Sequence, residues 1–379
     1  MKRRKIALLL AAILVISMTA CGSSGSSEST ENESSQEETT ETTETTAAED
    51  ASEAEGTAEA SNDSEWPTLP EDGPEIEIIN AYSGDNTVPH GYSAELFASL
   101  LEEHSGGKIK VTNYDNNSLG DDATVTQSVL SGEVTMTIEA TSVLCDFVSA
   151  MSAFDMPCAL TDVDKAYEVL KDSDFRTLLD EAMEESGFKL IGMCPTSFRE
   201  TSSNKEIRSF EDFSGIRIRT LDNEYHRAFW TALGASPTTI AYSELYMALE
   251  QGVVDAQENP FSTIIVGNFY EQQDYIIKTD HIMFVLCYLV NGDWWDSLEP
   301  EYQEMIQMAM EETLDSTMDF AKEVEEEAIN TLEEAGLTII ELDEDTKSQM
   351  VEAAQDVYDM VRADLGDEIV DALLNAMEE

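Results

Sequence analysis

Positive charge is what this sequence has least of. Twenty Lys and Arg stand against 79 Asp and Glu, giving a formal net charge of −59. Nucleic acid needs a basic footprint on its partner, so it is excluded as a ligand. Signatures of catalysis are also missing. The four His (90, 104, 226 and 281) form no two-His metal spacing and no His-Glu-x-x-His. There is no Gly-x-Ser-x-Gly elbow, no Gly-x-Gly-x-x-Gly and no Walker loop. Nothing therefore calls for a metal, a cofactor or a catalytic residue. Two carboxylates placed anywhere could still act, so an extracellular enzyme loses support without being disproved. Cysteine is sparse: beyond Cys21, only Cys145, Cys158, Cys194 and Cys287 occur, with no close pair. A structural zinc site is not expected, and the four read as free buried thiols, although pairing in an exported chain stays open. No stretch beyond the N-terminus has 18 uninterrupted apolar residues, so the mature chain is not expected to span a membrane.

The first 21 residues concentrate four of the bases in Lys2–Lys5, followed by an apolar run from Ile6 to Met18. That run is too short to cross a bilayer comfortably and reads as an export signal. Met18-Thr-Ala-Cys21 followed by Gly22 resembles a bacterial lipoprotein cleavage box, with Met18 where Leu is usual, and makes Cys21 the expected lipidated N-terminus. Residues 22–73 hold 16 acids, no Lys or Arg and almost no large apolar group. Such a segment cannot bury enough surface to fold and reads as a tether, with a reach of roughly 40 Å. The body keeps 63 acids against 16 bases, so an anion site in it must rely on local Arg groups.

Folding is expected to begin near Glu75. Strand-like runs at 76–80, 108–114 and 134–138 alternate with helical patterns at 91–104 and 121–130, which implies parallel pairing through helical crossovers. A long helix over 162–186 precedes a strand at 188–193, and Cys194-Pro195 leaves that strand. A second βα series begins near residue 198, with strands at 216–220, 238–241 and 253–257. Residues 275–278 and 282–290 read as two strands. Pro300–Ala335 is one uninterrupted helical pattern, roughly 50 Å long, that outruns a single small domain. Residues 345–365 and 367–377 read as two closing helices. The fold class expected is α/β.

Arg217 and Arg219 alternate with Ile216 and Ile218 on one short strand, and Asn259-Pro260 ends another strand 40 residues later. If both strands share one parallel sheet, their carboxyl ends meet at a crevice of the kind that binds ligands in open α/β sheets. Arg offers a planar fork that grips a carboxylate bidentately. In a chain this acidic, each Arg could equally pair with a surface acid.

From about Ile76 onward the chain resembles the solute-binding proteins of tripartite ATP-independent periplasmic (TRAP) transporters, the C4-dicarboxylate-binding family. The resemblance is carried by Gly215-Ile-Arg-Ile-Arg219, Leu233-Gly-Ala-Ser-Pro-Thr238, Ala241-Tyr-Ser-Glu-Leu-Tyr246 and Gln251-Gly-Val-Val-Asp-Ala-Gln-Glu-Asn-Pro260. Asn268-Phe-Tyr-Glu271, Thr279-Asp-His281, Gly107-Lys-Ile, Ser118-Leu-Gly-Asp121 and Arg199-Glu-Thr-Ser-Ser-Asn204 add to it. It implies a two-lobed periplasmic-binding-protein-like fold, with a cleft between lobes and the long helix shared by both. Lobe I would comprise 74–197 and 285–323, and lobe II 198–284 and 324–379. It implies that Arg219 binds the ligand carboxylate, with Arg199 and Asn259 as further contacts and Tyr242 as an aromatic wall. Asn80 and one of Glu139, Ala140 or Thr141, taken as Glu139, would come from the first lobe. Thr220-Leu221-Asp222 replaces the family's common Val-Pro-Asn. Asp222 is therefore expected to favour a hydroxyl or amine on the ligand over a second carboxylate. The implied partners are a small organic acid and a permease of a small and a large membrane subunit. A sensory role beside a membrane signalling partner is the alternative.

Overall fold

The computed structural model describes residues 66–378, and Cys21 and the export signal lie outside them. The described fold starts earlier than the sequence pattern implies. Residues 66–73, expected as the end of the tether, pack on the body. The Trp66 ring stacks on His104 with centroids 3.6 Å apart, Leu69 is buried, and Lys108 Nζ donates to the carbonyls of Pro70 and Glu71. One aromatic ring, one aliphatic side chain and one lysine thus anchor an otherwise polar segment.

Nine strands form one mixed sheet. They are β1 (Ile76–Tyr82), β2 (Ile109–Tyr114), β3 (Met136–Ala140), β4 (Phe188–Ser203), β5 (Arg217–Thr220), β6 (Ser236–Thr239), β7 (Ala256–Asn259), β8 (Tyr275–Asn291) and β9 (Thr338–Glu341). Their order is β2-β1-β3-β8-β4-β7-β5-β6, with β9 beside β8. The expected parallel pairings hold within each half: β1 with β2 and β3, and β5 with β6 and β7. Strands β4 and β8 run antiparallel to each other between the halves, and each also pairs antiparallel with its outer neighbour.

Those two strands depart most from the sequence reading. Each spans what reads as two segments, with lengths of 16 and 17 residues. Pro195 does not end β4. It sits beside one of three register shifts in the β4–β8 ladder, where a missing N–H is tolerated. Asp280 adopts φ +43° inside β8, and Glu200 Oε2 accepts hydrogen bonds from the Thr279 and Asp280 amides at 2.6 and 3.0 Å. A side chain on one strand thus satisfies backbone donors that the kink removes from the ladder.

The helix Pro300–Glu334 runs 35 residues without a break, as its pattern predicts. Its first half buries Tyr302, Met305, Ile306, Met310 and Leu314 in the core under β1–β3. It crosses β4 where there is no side chain: a Cβ on Gly192 would lie 2.8 Å from Met310 Cγ. Its second half buries Ala328 and Leu332 with Leu245, Phe261 and Ile264. There Glu325 accepts from the amides of Phe261 and Ser262, each at 3.1 Å, and so caps the helix Phe261–Val266. Two expected helices are broken. Ser173 caps a new start at Asp174, and Ala354 separates Glu344–Ala353 from Gln355–Leu365. The last two helices bridge both halves. Val357, Val361, Val370 and Leu373 share one core with Phe175 and Leu179 and also with Phe229 and Trp230.

Candidate functional site

The carboxyl ends of β3, β5 and β7 open on one cavity, across which β4 and β8 pass. Its polar lining includes Arg199, Arg219, Asn259 and Tyr242 from the β5–β7 side, and His90, Asp122 and Glu139 from the β1–β3 side. Phe284 of β8 lies beneath Arg199, with its ring centroid 5.5 Å from the guanidinium carbon.

Arg219 and Arg199 are both 3% exposed, but their surroundings differ. Arg199 is tied to Glu258: its Nε contacts Oε2, while Nη2 donates to Oε1 at 2.9 Å and to the Glu258 carbonyl at 2.7 Å. The same Nη2 donates to Asn259 Oδ1 at 3.0 Å, and Asn259 Nδ2 donates to Gln257 Oε1 at 2.6 Å. Asn259 therefore orients Arg199. Arg219 donates from Nε to the Ile240 carbonyl at 2.8 Å and, among the described residues, forms no salt bridge. Burial pulls its pKa down to about 10, with Glu258 acting the other way, so the group is charged at neutral pH. A buried guanidinium with one backbone bond and no salt-bridge partner among the described residues has the chemistry to bind a carboxylate.

Beneath Arg199 lies a buried charged network that motif reasoning missed. Glu258 also meets His281 Nε2 at 3.2 Å and lies 3.9 Å from His226 Nδ1. His226 Nε2 lies 3.0 Å from Asp155, which accepts from Ser142 and Asn223 at 2.6 Å each and contacts Cys145 Sγ at 3.0 Å. Burial opposes the charge on His226, but Asp155 and Glu258 outweigh it and raise the imidazole to about 9. Burial likewise opposes the Glu258 carboxylate, and Arg199 with the two His holds it well below its usual range. Glu258 belongs to the same Gln-Glu-Asn string as Asn259. Strand alternation alone would set it on the opposite face, which hid its role.

The β1–β3 side is acidic. Glu139 is 2% exposed, and one oxygen accepts from Thr137 Oγ1 at 3.0 Å. Burial, and then the charge on Asp122, pushes Glu139 well above the ordinary carboxylate range. Asp122 is half-buried, yet its Oδ1 is sealed from solvent without a hydrogen-bond partner. Burial raises its pKa against the pull of Arg219. His90 is 7% exposed with an unpartnered Nδ1, and burial lowers it to about 4, leaving it neutral.

Five of the seven expected ligand residues, Arg219, Arg199, Asn259, Tyr242 and Glu139, thus line one cavity. Two do not. Asn80 is buried in β1 and donates to Asn113 Oδ1, its register partner on the same face of β2, at 3.0 Å, while its own Oδ1 has no hydrogen-bond partner among the described residues. Asp222 is exposed and pairs with Arg227 at 2.8 Å, one turn into the next helix. Arg217, which shares a strand face with Arg219, is held at the surface by Asp255. His90 and Asp122 were missed, since neither stands in a recognisable motif.

The profile described as "Bacterial extracellular solute-binding protein, family 7" matches residues 80–364. The chain belongs to this family. It is 28% identical to the sialic acid-binding periplasmic protein SiaP of Vibrio cholerae, over 74% of this chain and 87% of that one. It is 28% identical to the C4-dicarboxylate-binding periplasmic protein DctP of Rhodobacter capsulatus, over 77% and 88%. The fold matches a TRAP periplasmic solute-binding protein of Desulfovibrio salexigens with bound orotic acid. That match has a TM-score of 0.77 and 26% identity, covering 80% of this chain and 99% of the other. It also matches the sugar acid-binding protein DctPAm of Advenella mimigardefordensis in complex with galactonate, again with a TM-score of 0.77 and 26% identity, over 81% and 99%. This family member is thus a two-lobed α/β solute-binding protein that works outside the cytoplasm, and the family's role is delivery of organic acids to a TRAP permease. Its relatives are binding proteins of transport systems and not enzymes. No helix among the described residues is long and apolar enough to cross a membrane.

Proposed function

We propose that this protein captures an organic acid by its carboxylate on Arg219, with Tyr242 as a wall and Arg199, oriented by Glu258 and Asn259, as a second donor. The observation that carries this reading is the buried, charged Arg219 with no salt-bridge partner among the described residues. Relatives named for C4-dicarboxylates and sialic acid, and a structural neighbour holding galactonate, place carboxylates in the same class of ligand. The lobes, 74–197 with 285–323 and 198–284 with 324–379, hinge on β4 and β8, where register shifts and the Asp280 kink lie. Closure removes water and strengthens the ion pair. Cys21 carries a lipid, and the acidic tether lets the body reach a permease in the same membrane.

Losing one partner of a buried charged pair typically costs on the order of 2–5 kcal/mol. Arg219→Ala is therefore expected to weaken binding at least roughly tenfold in titration calorimetry against a panel of organic acids. Unchanged affinity would remove Arg219 from the site. Cys21→Ser is expected to release the protein from membranes; retention would refute the lipid anchor.

A further inference from the structure

We infer that the cavity selects a monocarboxylic acid whose far end carries a hydrogen-bond donor, a hydroxyl or an ammonium, and disfavours a second carboxylate. The inference rests on Arg219 being the carboxylate anchor. It deepens that reading by naming what stands at the other pole.

The two poles come from different halves of the sheet. Arg219, Arg199 and Asn259 belong to β5, β4 and β7, whereas Glu139 ends β3 and Asp122 begins the helix Asp122–Ser131. Asp122 and Arg219 line the same cavity, and among the described residues they form no salt bridge. At the acidic pole the unmatched atoms are mostly acceptors. Asp122 Oδ1 has no partner and no solvent. Glu139 uses one oxygen on Thr137. Beside them His90, 93% buried on its 7% exposure, leaves Nδ1 unpaired. A buried polar atom without a partner costs free energy, and the cost is removed when a ligand supplies the missing group.

A hydroxyl or an ammonium supplies donors to these acceptors. A second carboxylate supplies only acceptors, and like charges brought together in a buried site cost several kcal/mol. Burial raises the Glu139 carboxyl well above the ordinary carboxylate range, so its proton is the donor this pole offers a second carboxylate, whose charge would then lie beside Asp122. The cavity measures about 60 Å³. A second cavity of about 260 Å³ adjoins it and shares Asp122, Arg219, Leu221 and Tyr242, so the space between the poles extends beyond the first.

The test is a matched panel of three to six carbons. At each length it holds the unsubstituted acid, the ω-hydroxy acid, the ω-amino acid and the dicarboxylate, with the polyhydroxy acid of the same length. Binding to the full mature chain is titrated at neutral pH. Hydroxy or amino acids are expected to bind at least roughly tenfold tighter than the dicarboxylate and the unsubstituted acid of equal length. The ω-hydroxy and ω-amino arms tell the two donors apart. Glu139→Gln and, independently, Asp122→Asn are expected to narrow the margin against the dicarboxylate at least roughly tenfold. A dicarboxylate or unsubstituted acid that binds as tightly as its donor-bearing counterpart, and is lost on Arg219→Ala, overturns this inference alone. A margin that neither acid variant changes also overturns it. Binding that survives Arg219→Ala, or no binding by any member, overturns the carboxylate-anchor reading as well.

Discussion

Glu258 holds Arg199 through both carboxylate oxygens, while Arg219, on the strand paired with that of Glu258, has among the described residues only a backbone carbonyl as hydrogen-bond partner. Two guanidiniums equally buried in one cavity therefore do different work. Arg199 arrives with its charge compensated and its plane fixed. Arg219 has no such carboxylate partner among the described residues, which is why it is the proposed anchor.

Glu258→Gln should destabilise the protein by roughly 3–5 kcal/mol, because it leaves the buried Arg199 charge uncompensated. Urea denaturation of the unliganded protein measures this. A loss below about 1 kcal/mol would mean that Asn259 and the carbonyls suffice to hold Arg199.

The network under the site predicts an alkaline limb in stability. His226 titrates near 9 in the fold, above its ordinary value near 6.5. The folded state then binds a proton that the unfolded chain has released, so the contribution is full below about 6.5 and is lost as pH rises through 9. The limb should amount to on the order of 3 kcal/mol. Thermal melts from pH 6 to 10 should show it in the native protein, and His226→Gln should flatten it. An unchanged slope in the variant would assign the limb to other groups.

Glu139 predicts the opposite response to mutation. Its folded pKa is raised by burial, so the fold binds a proton that the unfolded chain lacks above the ordinary carboxylate range. Its cost to stability grows as pH rises from that range toward the folded value. Glu139→Gln should raise the melting temperature of the unliganded protein at pH 7 and do so progressively less toward pH 4. A variant that melts lower than the native chain at every pH would contradict this.

The N-terminal anchor is testable by one side chain. Trp66→Ala removes the stack on His104 and should cost about 0.5–1.5 kcal/mol beyond the area it exposes. Protease resistance of residues 66–75 should fall with it, and an unchanged cleavage pattern would show that Leu69 and Lys108 hold the segment alone.

The sheet's two parallel halves and the long helix were legible because local periodicity writes them: alternation for β1, β2 and β5, and an unbroken 3.6-residue pattern from Pro300 to Glu334. Strands β4 and β8 were not. Pro195 and Asp280 read locally as breaks, and only the facing strand shows that the ladder continues past them. In the site, Arg219, Arg199, Asn259 and Tyr242 were reachable from the motif strings, and Glu139 only from the resemblance as a whole. Asp222 lies outside that site's cavity, paired with Arg227, and lines an adjoining one with Arg219, Asp122 and Tyr242. His90 and Asp122 lie in stretches whose spacing carries no chemical signature.

By itself, the sequence determined the strongly acidic balance, the α/β class and the Arg that reads as an anchor. Each of these follows from composition or from residues adjacent in the chain. The tertiary structure alone decided which Arg has a carboxylate partner among the described residues and which acids share its cavity. Those properties depend on distances between residues as far apart as Arg199 and Glu258 or Asp155 and His226, and on the burial that makes an unpaired polar atom costly.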